Sequence, residues 1–185
     1  MTMRRNRRPL EPLKPADLEW FALRYVERYA TTRGKLADYL QRKIRERGWG
    51  GEQSPEVSLL AQRMADLGYV DDRAFAEAKA GAMGRRGLGA RRVSQALWIA
   101  GIEEDDARAV APIVEENVTA SAIAFARRKR IGPFAREAAD RPLQERQVAA
   151  MVRAGHAPNL ARTIVRMMPG DDAEALLGAA QEGLA

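Results

Sequence analysis

The stretch "LGYVDDRAFAEAKAGAMGRRGLGARRVSQALWIAGI", residues 67–102, decides how the chain is read. It places Asp71 and Asp72 after a Gly-Tyr-Val turn and ahead of a run with apolar residues at helical spacing. Two neighbouring carboxylates invite two readings, acid–base chemistry or the start of a helix. An aspartate at a helix start accepts hydrogen bonds from the free N–H groups of the first turn. Its charge also suits the positive end of the helix dipole. The same signal recurs: "EEDD" at 103–106 follows Gly101, and Asp17 precedes "LEWFALRYVERYA". Catalytic carboxylates need a buried polar cleft and a shifted pKa, and no residues nearby supply one. Asp17, Asp71 and Asp72 therefore read as helix-capping residues.

Working outward, the pattern repeats. Phe-Ala steps occur at 21–22, 75–76 and 125–126. Each is followed by a second helical stretch that closes on a glycine: Gly48, Gly101 and Gly155. Four residues before those glycines stand Ile44, Leu97 and Met151, and a further helical stretch follows each. Glycine past a last helical turn closes a helix, and no alternating run argues for a strand. The chain reads as all-α, a tandem repeat of three three-helix units in an elongated array. The boundaries follow: a basic flexible tail at 1–16, units at 17–67, 68–116 and 117–169, and a C-terminal tail at 170–185.

Apolar residues make up 46% of the 185 and aromatics 6%, so the core is expected to be aliphatic and suited to helices. With no cysteine, disulfides, thiol catalysis and the common zinc sites are excluded, which fits a reducing cytosol. No apolar run is long enough to span a membrane. A lone histidine, His156, makes no metal site and has no triad partner nearby, so it reads as structural. Residues 1–50 carry 13 basic and 6 acidic side chains, residues 51–185 carry 18 and 19. That asymmetry hints at a polyanionic partner or an acidic protein surface.

The candidate binding residues are basic clusters, one in each expected unit: Arg42, Lys43 and Arg45 (with Arg47 close by); Arg85, Arg86, Arg91 and Arg92; Arg127, Arg128, Lys129 and Arg130. Each alone is an ordinary solvated helix face. Their recurrence points to a stripe that meets phosphates or acidic side chains. "GRRGLG", 84–89, lacks the Gly-Lys-Ser/Thr ending of a phosphate loop and reads as a flexible helix–helix connection. Val93, Ala96, Leu97 and Ala100 share one helix face, and Trp98 falls opposite, beside Arg91 and Gln95. An exposed Trp beside Arg is typical of an interface anchor; packing on a neighbouring unit is the bland alternative. Leu18, Phe21, Tyr25 and Tyr29 share a face, so the first-helix aromatics, Trp20 included, read mostly as core; stacking on bases beside the interleaved arginines is the lesser alternative.

These residues together resemble the RecX family of RecA regulators. The central block at 67–102 carries the resemblance most specifically, with its Gly-Tyr, acidic pair, Phe-Ala, basic glycine turn and closing Gly-Ile. "KLADYLQRKIRERGW" is similar to the family's first unit and "ARRKRIGPFAREAADRPLQERQVAAMVRAGH", 126–156, to its third. The likeness spans roughly residues 18–168; "ATTRGKLADYL" departs from the Ser-x-x-Glu-Leu start the family often shows. The resemblance implies a curved array of three-helix units that lodges in the groove of the RecA filament on single-stranded DNA. It implies negative regulation of filament growth, ATP hydrolysis, strand exchange and the SOS response. It further implies a cytoplasmic protein, a monomer by default, with no cofactor and no catalysis. With RecA as the partner, weak direct DNA binding is a further expectation. Two rivals stay open: a nucleic-acid-binding helical module acting without RecA, which binds naked DNA tightly and with steep salt dependence, and a helical scaffold for another acidic partner.

Overall fold

A computed structural model describes residues 11–176 and is all-helical over that range, with nine α-helices and one short 3-10 turn. The chain divides into two compact units, the first ending at Asp72 and the second starting at Arg73. The N-terminal unit holds α1 (Pro15–Val26), α2 (Arg33–Arg47) and α3 (Val57–Asp66). The C-terminal unit holds α4 (Asp72–Arg85, from its second residue), α5 (Ala90–Ile99), α6 (Glu104–Glu116), α7 (Val118–Lys129), α8 (Arg141–Arg153) and α9 (Pro158–Arg166).

The buried apolar residues form three clusters. In the N-terminal unit Leu36 and Leu40, one turn apart on α2, are fully buried against Leu18 and Ala22 of α1 and Ala61 and Met64 of α3. Burying a leucine contributes about 1.5–3 kcal/mol. In the C-terminal unit one cluster gathers Ala76 and Ala80 of α4, Val93 and Leu97 of α5 and Val110 of α6. A second gathers Ile123 and Phe125 of α7, Met151 of α8 and Ile164 and Val165 of α9. Leu97 and Met151 are thus core residues, four positions ahead of the closing glycines, as their spacing suggests.

Part of each segment expected to be a tail packs into the fold. Residues 1–10 and 177–185 lie outside the described residues. Leu13, assigned to the basic tail, is fully buried; its N–H donates to the Gly48 carbonyl and its carbonyl accepts from the Gly50 N–H, both at 2.9 Å. Arg47 fastens the same segment, donating to the Glu11 carbonyl through Nε and Nη2 at 3.2 and 3.0 Å. At the other end Ala173 is buried in the last cluster.

The acidic helix starts do two different things. Asp17 is the third residue of α1, and its carboxylate accepts from the Lys14 N–H at 2.8 Å, one half of a capping box. Asp72 stands in the first turn of α4 but reaches back to α2. Its carboxylate accepts from the Arg33 backbone N–H at 2.8 Å and from Arg33 Nε at 3.1 Å. Arg33 is the first residue of α2, so a distant aspartate satisfies one of that helix's free donors. Thr32 caps the same end through Oγ1 to the Lys35 N–H.

The "GRRGLG" segment is packed tightly, against the expectation of a flexible connection. Gly89 donates its N–H to the Ala154 carbonyl at 2.9 Å, and Arg91 donates to the Gly155 carbonyl at 3.3 Å. Arg92 Nε donates to the Arg153 carbonyl at 3.0 Å. The free donors that open α5 thus meet the free acceptors that close α8, and the two helix dipoles meet with opposite ends. No side chain caps α5; the end of α8 does it instead.

Candidate partner-binding surface

The three basic clusters differ once their neighbours are known. On α2, Lys43 Nζ lies 2.8 Å from Glu46 and Arg42 Nε lies 3.8 Å from it. The Lys43 hydrogen bond, more than any other influence, holds the Glu46 carboxyl below its ordinary range. Arg45 is exposed and enters no ion pair among the described residues. One anion therefore partly neutralises this cluster.

In the C-terminal unit the second and third clusters come together. Arg128 of α7 donates to the Arg86 carbonyl, and its guanidinium lies over the Phe125 ring at 5.8 Å. Arg127 pairs with Glu174 at 2.7 Å and lies over Phe134 at 5.0 Å. Lys129 ends α7 and Arg130 follows in the left-handed conformation, φ 54°. Cations at a helix C-terminus complement its dipole, so Arg127 and Arg128 already serve the fold. Arg85, Arg86, Lys129 and Arg130 are exposed, and their charged groups meet no carboxylate among the described residues.

On α5, Trp98 is 79% exposed among the described residues, which fits an open surface better than packing on a neighbouring unit. Ile99 beside it is 64% exposed and joins the candidate surface. The helical wheel carries the signal: with Val93 and Leu97 buried, a residue two beyond Leu97 points away from the core. Arg91, seven residues before Trp98, is exposed and in no ion pair among the described residues. It lines a hollow of 270 Å³ with Arg92, Gln95, Val152, Arg153 and Gly155, three of the six being arginine. Arg92 is the less available, since it holds the Arg153 carbonyl and Gln95. An exposed apolar pair beside uncommitted arginines can anchor a partner and meet its acidic groups.

His156 is buried, as its structural reading expects. Its Nε2 lies 3.1 Å from the Gly87 carbonyl, which can only accept, so Nε2 carries the proton. The ring stands edge-on to Phe125 at 5.6 Å. Burial pushes its pKa below the ordinary histidine value, opposed by the Gly87 bond.

Of the first-helix aromatics, Phe21 and Tyr25 pack half-buried against the core, and Trp20 and Tyr29 do not. Trp20 is 57% and Tyr29 50% exposed. Trp20 lies two residues, about 200°, around α1 from buried Leu18. Tyr29 stands past Val26, the last residue of α1, so the helical face that assigned it to the core no longer exists there. Among the described residues no three His, Asp or Glu side chains converge on a metal position. No single described helix is long and apolar enough to cross a membrane.

No family model matches the chain. Its sequence is similar to the regulatory protein RecX of Myxococcus xanthus (strain DK1622), 31% identical over 176 residues, 90% of this chain and 94% of the relative. It is also similar to the regulatory protein RecX of Agrobacterium fabrum (strain C58), 27% identical over 160 residues, 84% of this chain and 85% of that one. Its fold is similar to the crystal structure of RecX from Lactobacillus salivarius, with a TM-score of 0.62 at 18% identity, over 82% of this chain and 94% of the other. A crystal structure of a regulatory protein RecX gives 0.59 at 19%, over 80% and 70%.

Proposed function

The chain belongs to the RecX family of regulatory proteins, and from that premise we propose that it binds the RecA filament on single-stranded DNA and restrains it. It acts as a regulator and not as an enzyme. The three core clusters correspond to three repeat units, and successive units face successive RecA subunits along the filament groove. Lodged there, the protein limits filament growth, ATP hydrolysis and strand exchange, and so damps the SOS response and recombinational repair in the cytoplasm. It works as a monomer and needs no cofactor.

The observation that supports this most is the α5 surface, where exposed Trp98 and Ile99 sit on the same helix as uncommitted Arg91. A protein that keeps to itself rarely leaves two large apolar side chains side by side in water. The arginines speed encounter with an acidic surface, and the buried anchor slows release. Arg85, Arg86, Lys129 and Arg130 extend the cationic field in the same unit.

The test is RecA ATP hydrolysis on single-stranded DNA with this protein titrated below the RecA concentration. We expect a fall at substoichiometric ratios. Trp98→Ala is expected to raise the half-inhibitory concentration at least tenfold, a loss of about 2 kcal/mol at an interface anchor, with an unchanged circular dichroism spectrum. Arg91→Glu is expected to weaken inhibition mainly through a slower on-rate. It is a cleaner probe than a double reversal that includes Arg92, whose guanidinium also holds the Arg153 carbonyl. Full inhibition by a folded Trp98→Ala protein would remove α5 from the interface. No inhibition by the wild-type protein, even in excess at low salt, would remove the regulatory mechanism.

A further inference from the structure

The N-terminal unit carries a second surface of different chemistry. Trp20, Phe21, Arg24, Tyr25, Arg28 and Tyr29, from α1 and the turn after it, join Tyr39, Arg42 and Lys43 of α2 around an open hollow of 520 Å³. Five of those nine residues are aromatic and four are cationic, and none is a carboxylate. Phe21, Tyr25 and Tyr39 are half-buried and form the floor, with Tyr25 and Tyr39 stacked at 4.2 Å and 21° and Phe21 edge-on to Tyr39 at 6.5 Å. Trp20 stands edge-on to Phe21 at 5.1 Å and Tyr29 lies 5.2 Å from Tyr25, so the floor's packed rings support both exposed ones.

The cations are arranged around those rings. Arg24 lies over Trp20 at 5.5 Å and Arg28 over Tyr29 at 5.6 Å, and neither meets a carboxylate among the described residues. Arg42 and Lys43 lie over Tyr39 at 5.5 and 5.8 Å while sharing Glu46. We infer that this surface binds unpaired bases of a single-stranded nucleic acid, which stack on Trp20 and Tyr29 while Arg24 and Arg28 hold the flanking phosphates.

Exposed aromatic faces beside unpaired arginines match a strand whose bases are free, because every base offers a flat face and every linkage a negative charge. A duplex keeps its base faces stacked inside and meets only the cations. An acidic peptide likewise uses the guanidinium groups and leaves the rings unoccupied. The basic clusters of the C-terminal unit lack such a set of exposed rings, so the preference for single strands resides in the N-terminal unit. The inference does not rest on the RecA mechanism, and its test contains no RecA.

Fluorescence anisotropy of a labelled oligothymidine gives the first reading, with a duplex of equal length, an abasic oligonucleotide and polyglutamate as comparisons. The wild-type protein is expected to bind the single strand at least tenfold tighter than the duplex or the abasic strand. Trp20→Ala with Tyr29→Ala should lower single-strand affinity by about tenfold or more, since each stacked base contributes strongly, and leave duplex binding unchanged. Both side chains are half or more exposed, so the variant should fold, and its thermal unfolding confirms it. Arg24→Gln with Arg28→Gln should weaken binding and flatten its salt dependence. Equal binding of single strand, abasic strand and duplex, insensitive to the ring variant, would overturn the inference and leave general charge attraction. Ring-dependent binding of polyglutamate without oligothymidine binding would overturn it in favour of an acidic peptide.

Discussion

At Gly48, which closes α2, the backbone has φ +83°, and an added Cβ would lie 3.9 Å from the Pro12 side chain, an ordinary contact. At Gly89, which opens α5, φ is −79°, which any residue adopts, but an added Cβ would lie 2.4 Å from the Gly155 carbonyl carbon and oxygen. The first position needs glycine for its backbone conformation and has room to spare. The second has an ordinary conformation and no room. Gly155 combines both demands, with φ +99° and Arg92 N 2.6 Å from the added carbon. α2 thus closes by local geometry, whereas α8 closes by pressing its backbone against the start of α5.

The contrast breaks most visibly at the contact. Gly89→Ala and Gly155→Ala should each destabilise the protein by roughly 3 kcal/mol or more, because the clash is with backbone that cannot swing aside. Urea unfolding of each variant measures this, and a loss below about 1 kcal/mol for Gly89→Ala would mean that the helix ends do not touch in solution. Gly48→Ala should cost less, about 1–3 kcal/mol, the range for a residue held in a region only glycine favours. The same unfolding series reads it, and a cost equal to that of Gly155→Ala would erase the distinction.

The smallest effect concerns the His156 ring behind the contact. Its pKa is lowered in the folded protein, so between the folded and unfolded values the unfolded chain binds more protons. Stability contributed by the neutral ring is therefore full above the ordinary histidine pKa of 6.5 and declines as pH falls below it. The slope is at most about 1.4 kcal/mol per pH unit for one group. Thermal unfolding from pH 8 to 5 should show that decline in the wild type and a flatter profile in His156→Gln. An identical decline in the variant would assign the pH dependence to other groups.

Much of this was legible in the sequence where the cause is local. The closing glycines, the apolar residues four positions before them and the outward face of Trp98 all follow from helical spacing, and the helices stand where that spacing puts them. The misreadings share another cause. "GRRGLG" reads as a loose connection because its partners, residues 125–128 and 153–156, lie 36 to 72 residues further on. Asp72 reads as the cap of the helix it starts, and its carboxylate reaches Arg33, 39 residues earlier. Tyr29 reads as part of a helical face, and α1 ends three residues before it. The outward position of Ile99 is legible in the same spacing, two residues past buried Leu97. The basic clusters are visible as charge, and Glu46, three and four residues past Lys43 and Arg42, is a legible partner on the same helix; that Arg127 is paired depends on Glu174, 47 residues further on.

The Asp72–Arg33 contact also sets an order of events during synthesis. A growing chain emerges N-terminus first, and compact units fold as they become complete. α1, α2 and α3 are all present once residue 66 has emerged. Even so, α2 gains the Asp72 carboxylate at its first N–H only after six more residues have left the ribosome, when the next helix has begun.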